Sequence, residues 1–400
     1  MRRNPERVAW VFLLSAFVIF CIIVVGVPLG VRYYLLSAAH EQKALVESIA
    51  GTVVVEPPLG RGAIPLSKGQ SMNVPAGTLV RADENAEAVV TFYDHSFMRL
   101  FSGTTVRIDV MSSKQYQVGR LPNTIQLTLL NGHVQIGTAI SLAAPLIFTV
   151  GTFQSECRLD PDGSYSLETN NMRTEIATYR GQAAIQAQGQ VVNLAERQRT
   201  SVEINQPPHT ATSVARDLLA NGTFTDPLTE GWRVFNDQGT DSGTVDGQAE
   251  IVVDEGRRAV HLVRSGGDGN HCETGLEQTL NRELPDPLSS LIVRATLKVR
   301  DQSLSGGGYL SSEYPLIIRL TYRDAYDNEA EWIQGFYYQN TANNPTMFGL
   351  QISHDRWYFF DSGNLLDQLP VRPSKLIRLR VYASGWDYDS LLSDIALVVE

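Results

Sequence analysis

Cysteine is nearly absent: three residues in 400, Cys21, Cys157 and Cys272. That excludes a disulfide framework and a four-cysteine zinc site. Basic residues are outnumbered, 33 Lys and Arg against 43 Asp and Glu, for a net charge of −10. A general nucleic-acid binder is excluded on that balance, because phosphate contacts need Lys and Arg. No G-x-S-x-G, H-E-x-x-H or Walker loop occurs. Glycine and proline, 32 and 18, are near average use, and the chain is 43% hydrophobic. Collagen-like and disordered chains are thereby set aside. The length predicts two or three domains.

One long hydrophobic run is present. Residues 8–31 carry no formal charge, and sixteen of these 24 are Val, Leu, Ile or Phe. As a helix the run reaches roughly 36 Å, more than the ~30 Å hydrocarbon core of a bilayer. Trp10 lies near one end and Tyr33 and Tyr34 lie just beyond the other, where interfacial aromatics belong. Arg2, Arg3 and Arg7 precede the span and only Arg32 closely follows it. This bias predicts a cytoplasmic tail over residues 1–7 and an extracytoplasmic remainder. A cleaved signal peptide is the alternative, with Ser37-Ala38-Ala39 as a cleavage site, but the apolar run exceeds the usual 7–15 residues. Residues 33–400 hold 29 basic and 42 acidic residues, a balance of −13. Such a surface suits calcium or neutral ligands better than anionic ones.

Beyond the span, residues 32–50 read as a stalk, with a short helix over 41–49. From Gly51 the pattern becomes period 2, the mark of half-buried strands, as in residues 88–93, 97–101, 105–110 and 124–130. Turn residues such as Pro75-Ala-Gly77, Asn131-Gly132 and Asp162-Gly163 separate the runs. The expected architecture is all-β. Lys68-Gly69-Gln70, Leu79-Val-Arg-Ala82, Asp94-His95-Ser96, Met98-Arg-Leu100 and Thr104-Thr-Val-Arg-Ile108 together resemble the FecR-type extracytoplasmic domain. Leu130-Asn-Gly-His-Val134, Tyr179-Arg-Gly-Gln-Ala183 and Leu194-Ala-Glu-Arg-Gln198 extend the resemblance over residues 51–204. His95 and Glu196 stand where that family favours turn glycines. The family's best-known members pass a transport signal to a sigma factor through a cytoplasmic domain. Seven residues bury no core, so the resemblance implies the fold and the side of the membrane, without the anti-sigma role.

Residues 205–216 are rich in Pro, Thr and Ser and read as a linker. The segment 217–400 holds four of the five tryptophans. Its opening, Leu219-Ala-Asn-Gly-Thr-Phe224 then Gly231-Trp232, and its close, Ile377-Arg-Leu-Arg-Val-Tyr382, Gly385-Trp386 and Ser393-Asp394, resemble a galactose-binding-like, carbohydrate-binding-module jelly roll. That fold hosts many functions. The resemblance implies a β-sandwich and a structural calcium near the first and last strands, for which Asp226 and Asp394 are the expected ligands. Here Thr225 occupies the position where the family usually has an acid.

Sugar binding needs exposed ring faces and a few amides or carboxylates. In residues 331–338, period 2 places Trp332, Gln334, Phe336 and Tyr338 on one face and Ile333, Gly335 and Tyr337 on the other. One face must be core. The first set is the candidate platform, joined by Trp386 and Tyr388 from a Gly/Asp-rich loop. Packing in the sandwich core is the competing reading for each ring. Acids at Asp324, Asp327, Glu329 and Glu331 sit in an ordinary hairpin turn, so catalysis is not expected.

These readings describe a mainly β protein: a single transmembrane helix, a FecR-like β domain and a C-terminal jelly-roll sandwich. The expected function is non-enzymatic capture of a glycan or envelope polymer, with the FecR-like domain as spacer or docking unit. A signalling component acting through a partner membrane protein and a structural envelope protein are the alternatives.

Overall fold

The computed structural model describes residues 5–58, 62–140, 144–213, 216–241, 243–285 and 288–399. Strands account for 53% of the chain and helix for 8%, which makes the protein mainly β. The helical part is N-terminal. Pro5–Cys21 and Val27–Ser37 are α-helical, joined by one π-helical turn at Ile22–Gly26. Ala9–Ser37 is 29 residues long, with a mean hydropathy of 2.9 over an 18-residue stretch that is fully exposed; its last turn touches the first domain, where Arg120 N donates to Leu36 O at 3.2 Å and the Tyr34 and Tyr116 rings lie 6.1 Å apart. A helix apolar on every side belongs in lipid, and this one is long and apolar enough to cross a membrane.

The helix gives way directly to strand. Residues 41–49, expected as a helical stalk, instead lie in the strands Ala39–Glu41 and Lys43–Ala50. The second pairs with both Ser71–Pro75 and Glu87–Thr91. The reason is visible in its burial: Ala44, Val46 and Ser48 are covered while their neighbours are half-exposed, a period of two that a helix cannot satisfy. The β domain therefore begins at residue 39, and no free stalk separates it from the apolar helix.

This first domain is built around one long strand, Asn123–Gly137. Its first half pairs with Thr105–Lys114 and Leu146–Gly151. Its second half pairs with Phe97–Leu100 and Ser164–Thr169. The change of sheet falls at Asn131-Gly132. Gly132 has φ of 99°, and a Cβ there would lie 2.5 Å from the Thr104 hydroxyl oxygen. Only glycine tolerates both conditions. The two sheets enclose one core, with Val46, Val90, Leu100, Ile136 and Tyr165 from one and Val55, Val80, Ile108, Phe148 and Ile185 from the other. At the Asp94-His95-Ser96 turn, His95 takes the left-handed conformation itself, φ 69°. In the late turn Arg197, next to Glu196, does so, φ 62°. The missing turn glycines thus leave strain and keep the turns, at roughly 1–3 kcal/mol each.

The second domain is a two-sheet sandwich. One sheet runs Gln248–Asp254, Arg257–Arg264, Tyr388–Val399, Leu291–Gln302, Tyr358–Asp361. The other runs Arg233–Asp237, Cys272–Glu283, Pro373–Gly385, Leu316–Asp324, Glu329–Tyr337, Gly349–Gln351. We call them the near and far sheets, by their distance from the first domain. Their inner faces meet in an apolar core that includes Leu297, Leu320, Phe336, Phe360, Val381 and Leu392.

The near sheet is covered on its outer face as well. Ala259, Leu391, Trp357 and Phe359 pack there against Val89 and Phe97 of the first domain. Arg99 donates to the Phe359 carbonyl at 2.5 Å and to Glu87 at 2.6 Å, and its guanidinium lies over the Tyr358 ring. Arg257 lies between the rings of Phe97 and Trp357, 4.5 and 5.9 Å from their centroids. Lys298 is fully buried and holds Asp254, Glu255 and Asp355 at 2.9, 2.8 and 3.1 Å. Residues 205–213 are tied down too: His209 N donates to Ser201 O, and Thr212–Ser213 pairs with Gln198–Glu203.

Candidate functional site

The first domain does not cover the far sheet's outer face, although Tyr314, Ile317, Tyr337 and Tyr382 there are buried under their own neighbours, and the alternation of its strands decides which residues reach it. Trp332, Phe336 and Tyr338, expected to form a platform, pack on the inner, core side. Phe336 has no exposed surface and meets Phe360 edge-on at 5.0 Å, so it is core and not a ligand contact. Trp332 is half-buried and stacks on the same ring at 6.3 Å. Gln334 donates to the Phe348 carbonyl at 2.8 Å, which braces a loop. Tyr388, expected in an exposed loop, is 2% exposed; its hydroxyl donates to Thr274 at 2.6 Å inside the core. Trp386 is 41% exposed, at the turn that follows Gly385.

The opposite parity builds the outer face. Register aligns Phe235, Gly275, Tyr382, Ile317 and Gly335 in one row across five strands. Arg233, Glu277, Arg380, Arg319 and Ile333 form the next. Phe235, Tyr314, Ile317, Ile333, Tyr337 and Tyr382 make an apolar cluster separate from the main core. Gly335 is what lets Tyr314 lie down on the sheet: a Cβ there would stand 2.3 Å from the tyrosine ring. Phe348, 59% exposed, sits beside this row, held in a left-handed conformation of φ 58° while its carbonyl accepts from Gly335 N at 2.7 Å.

Charges interleave with the rings. Glu277 accepts from Arg233 at 2.7 Å and from Arg380 at 2.5 Å. Burial alone would raise its carboxyl; the two guanidinium groups outweigh that and hold it below the ordinary carboxylate value. Arg380 lies 4.9 Å over Phe235, and Arg319 lies 5.2 Å over Tyr382. Burial raises the Glu273 carboxyl against the pull of Arg319 and the other cations nearby. Among the described residues three buried polar atoms here have no hydrogen-bond partner: Tyr382 Oη, Ser384 Oγ and Arg319 Nε. An unpartnered buried polar atom costs about 1–3 kcal/mol. The face combines the half-buried Phe235 ring with fixed ionic donors and acceptors. It suits a ligand with hydroxyl groups and an apolar side.

Parity sorts residues 331–338 into two faces, and both carry aromatic rings; the sequence reading preferred the face on which Phe336 is core. The deciding fact is a long-range one, the approach of Phe360 from the near sheet.

The expected calcium ligands Asp226 and Asp394 lie in the early loop and in the last strand. The early loop and the last strand are adjacent, with Ile395 N donating to Gly222 O at 2.8 Å. Burial raises the Asp394 carboxyl, and a hydrogen bond from Thr296 and the charges of Arg180 and Arg257 only partly offset it. A carboxylate already facing two guanidinium groups is a poor partner for a cation that needs six to eight oxygens. Among the described residues no three His, Cys, Asp or Glu side chains are placed to hold a metal ion. Asp324 caps its own hairpin, accepting from Tyr326 N at 2.7 Å and Asn328 N at 2.9 Å. The three cysteines are free thiols.

No family model matches the sequence, and no curated protein matches it. Among solved structures, an anti-sigma factor candidate from Parabacteroides distasonis is 14% identical, covering 40% of this chain and 67% of its own at a TM-score of 0.28. The family 11 carbohydrate-binding module from Clostridium thermocellum, solved with a mixed-linked tetrasaccharide, is 9% identical over 47% of this chain and 97% of its own, TM-score 0.29. A xylan-binding domain from Paenibacillus barcinonensis is 12% identical over 46% of this chain and 95% of its own, TM-score 0.26. The chain is thus similar, at low identity, to an anti-sigma factor candidate and to sugar-binding β-sandwich modules.

Proposed function

We propose that this is a membrane-anchored extracytoplasmic protein that captures a glycan on the outer face of its far sheet. The observation that carries the reading is the row of half-buried Phe235, Arg380 and Arg319, laid over the buried ring of Tyr382. Pyranose rings present C–H groups to aromatic faces and hydroxyls to fixed ionic groups, which is the pairing this row offers. Trp386 and Phe348 flank it as exposed rings. The N-terminal helix is the anchor, and the arginines before it place the N-terminus in the cytoplasm. The first domain serves as a fixed mount: it holds the near sheet, and so leaves the far sheet turned toward its ligand. The role is binding without turnover, and no metal is needed for it.

The test is a glycan array probed with the full chain in lipid nanodiscs. Wild type is expected to bind a defined polysaccharide class. Arg380→Ala and Trp386→Ala are expected to lose at least tenfold in affinity for it while remaining folded. A folded chain that binds no glycan overturns the reading, and so does binding indifferent to both variants.

A further inference from the structure

A second recess lies where the two domains meet, away from the far sheet's outer face. It is a cleft of about 390 Å³ lined from the first domain by Glu47, Ile49 and Lys68, and from the second by Tyr338, Gln351 and His354. Its volume falls within the ~300–1,000 Å³ of small-molecule sites. The walls are firmly set. Gly69 N donates to Ser48 O at 2.7 Å, which fixes the turn carrying Lys68 against the Lys43–Ala50 strand. Ser353 donates to Glu47 Oε1 at 2.5 Å and bridges the domains. The Tyr338 and His354 rings meet at 4.3 Å, and His354 Nε2 is bonded to the Arg300 carbonyl.

The remaining valences define what the cleft can take. Among the described residues Lys68 has no hydrogen-bond or ion-pair partner, although Glu47 lines the same cleft. Gln351 spends its amide N–H on Tyr338 O at 3.1 Å and keeps its carbonyl oxygen. Glu47 keeps its second carboxylate oxygen. One cation, one anion, one amide oxygen and a ring pair ask for a ligand that both donates and accepts, presents an apolar side and carries no net charge. An ion of either sign would meet a like charge in the cleft as well as an opposite one.

We propose that this interdomain cleft binds a unit of a neutral sugar, seated against Tyr338 and hydrogen-bonded by Lys68 and Glu47 from one domain and Gln351 from the other. Because both domains supply contacts, the ligand binds the docked arrangement and stabilises it by mass action. The proposal stands apart from the far-sheet reading and uses none of its residues.

The test is saturation-transfer NMR and calorimetry on the full chain in nanodiscs, with glucose, galactose, xylose, N-acetylglucosamine and glucuronate as separate probes. At least one neutral sugar is expected to bind and to be preferred over glucuronate. Lys68→Ala and Gln351→Ala, both at exposed positions, are expected each to weaken it at least tenfold, while Arg380→Ala leaves it within twofold. Absence of binding by every neutral probe overturns the proposal, as does preference for glucuronate or binding that survives both cleft variants. Loss in Arg380→Ala with retention in both cleft variants overturns it while supporting the far-sheet site.

Discussion

The two outer faces of the C-terminal sandwich use the same chemistry and meet different fates. On the near sheet, Arg257 and Lys298 lie by the ring of Trp357, with Asp254, Glu255 and Asp355 supplying negative charge. On the far sheet, Arg380 and Arg319 lie over Phe235 and Tyr382, with Glu277 between arginines. The first domain closes the near face with Phe97, Val89 and Arg99. Among the described residues no second domain covers the far face, where Phe235, Arg380 and Arg319 stay half-buried. Unpartnered polar atoms lie on both faces, Arg257 Nε and Trp357 Nε1 on the near one and Tyr382 Oη and Ser384 Oγ on the far one. The comparison teaches that neither cations over rings nor unpartnered atoms by themselves mark a ligand site here; the mark is the same chemistry left without a covering domain.

The comparison can be broken most sharply at Lys298. Lys298→Met removes the buried cation that Asp254, Glu255 and Asp355 share; Arg300 still pairs with Asp254 and Asp355, and Asp355 is half exposed, so the expected loss is about 3 kcal/mol, the low end for breaking a buried pair. Thermal unfolding should show this loss, and proteolysis should begin near residues 205–216 as the domains part. A variant as stable as wild type would mean that the near face is not held by this cluster.

Next in size is an effect of pH at the same junction. Burial pushes the His133 imidazole down to about 4, with its Nε2 against the Ser166 hydroxyl. The folded protein therefore holds this ring neutral, while the unfolded chain takes up a proton below the ordinary value of 6.5. Stability from this group is complete above pH 6.5 and is lost as pH falls toward 4. At about 1.4 kcal/mol per unit, up to ~3 kcal/mol is at stake. His133→Gln should flatten the fall in melting temperature between pH 6.5 and 4 relative to wild type. Equal slopes would contradict the assignment.

On the far face the expected stability effects are smallest, which is what separates it from the near one. Tyr382→Phe removes an unpartnered hydroxyl and should change stability by less than about 1 kcal/mol, or raise it. A large loss would show that the hydroxyl has a partner after all.

Much of this was legible in the sequence, at the level of pattern. Period 2 in residues 88–110 and 316–338 gave strands, and the uncharged run at 8–31 gave the apolar helix. Residues 41–49 were misread because Ala, Leu, Val and Ile there fit both a short helix and a strand; the pairing with Ser71–Pro75 and Glu87–Thr91 settles it. The site was half legible. Alternation sorted residues 331–338 into two faces, and only the near sheet's Phe360 says which is core. Asp394, read as a calcium ligand, and Trp357 lie at or toward the domain junction, a contact made by residues hundreds of positions apart. No local pattern carries that.

The most direct measurement is hydroxyl-radical footprinting of the full chain in nanodiscs, which reads side-chain access ring by ring. The account predicts rapid oxidation of Trp386 and measurable oxidation of Phe235, with Phe97, Trp357 and Phe359 protected, and protection of Phe235 and Trp386 when an array-positive glycan is added. Oxidation of Phe97 and Trp357 as fast as Trp386, or glycan protection confined to the near face, would contradict it.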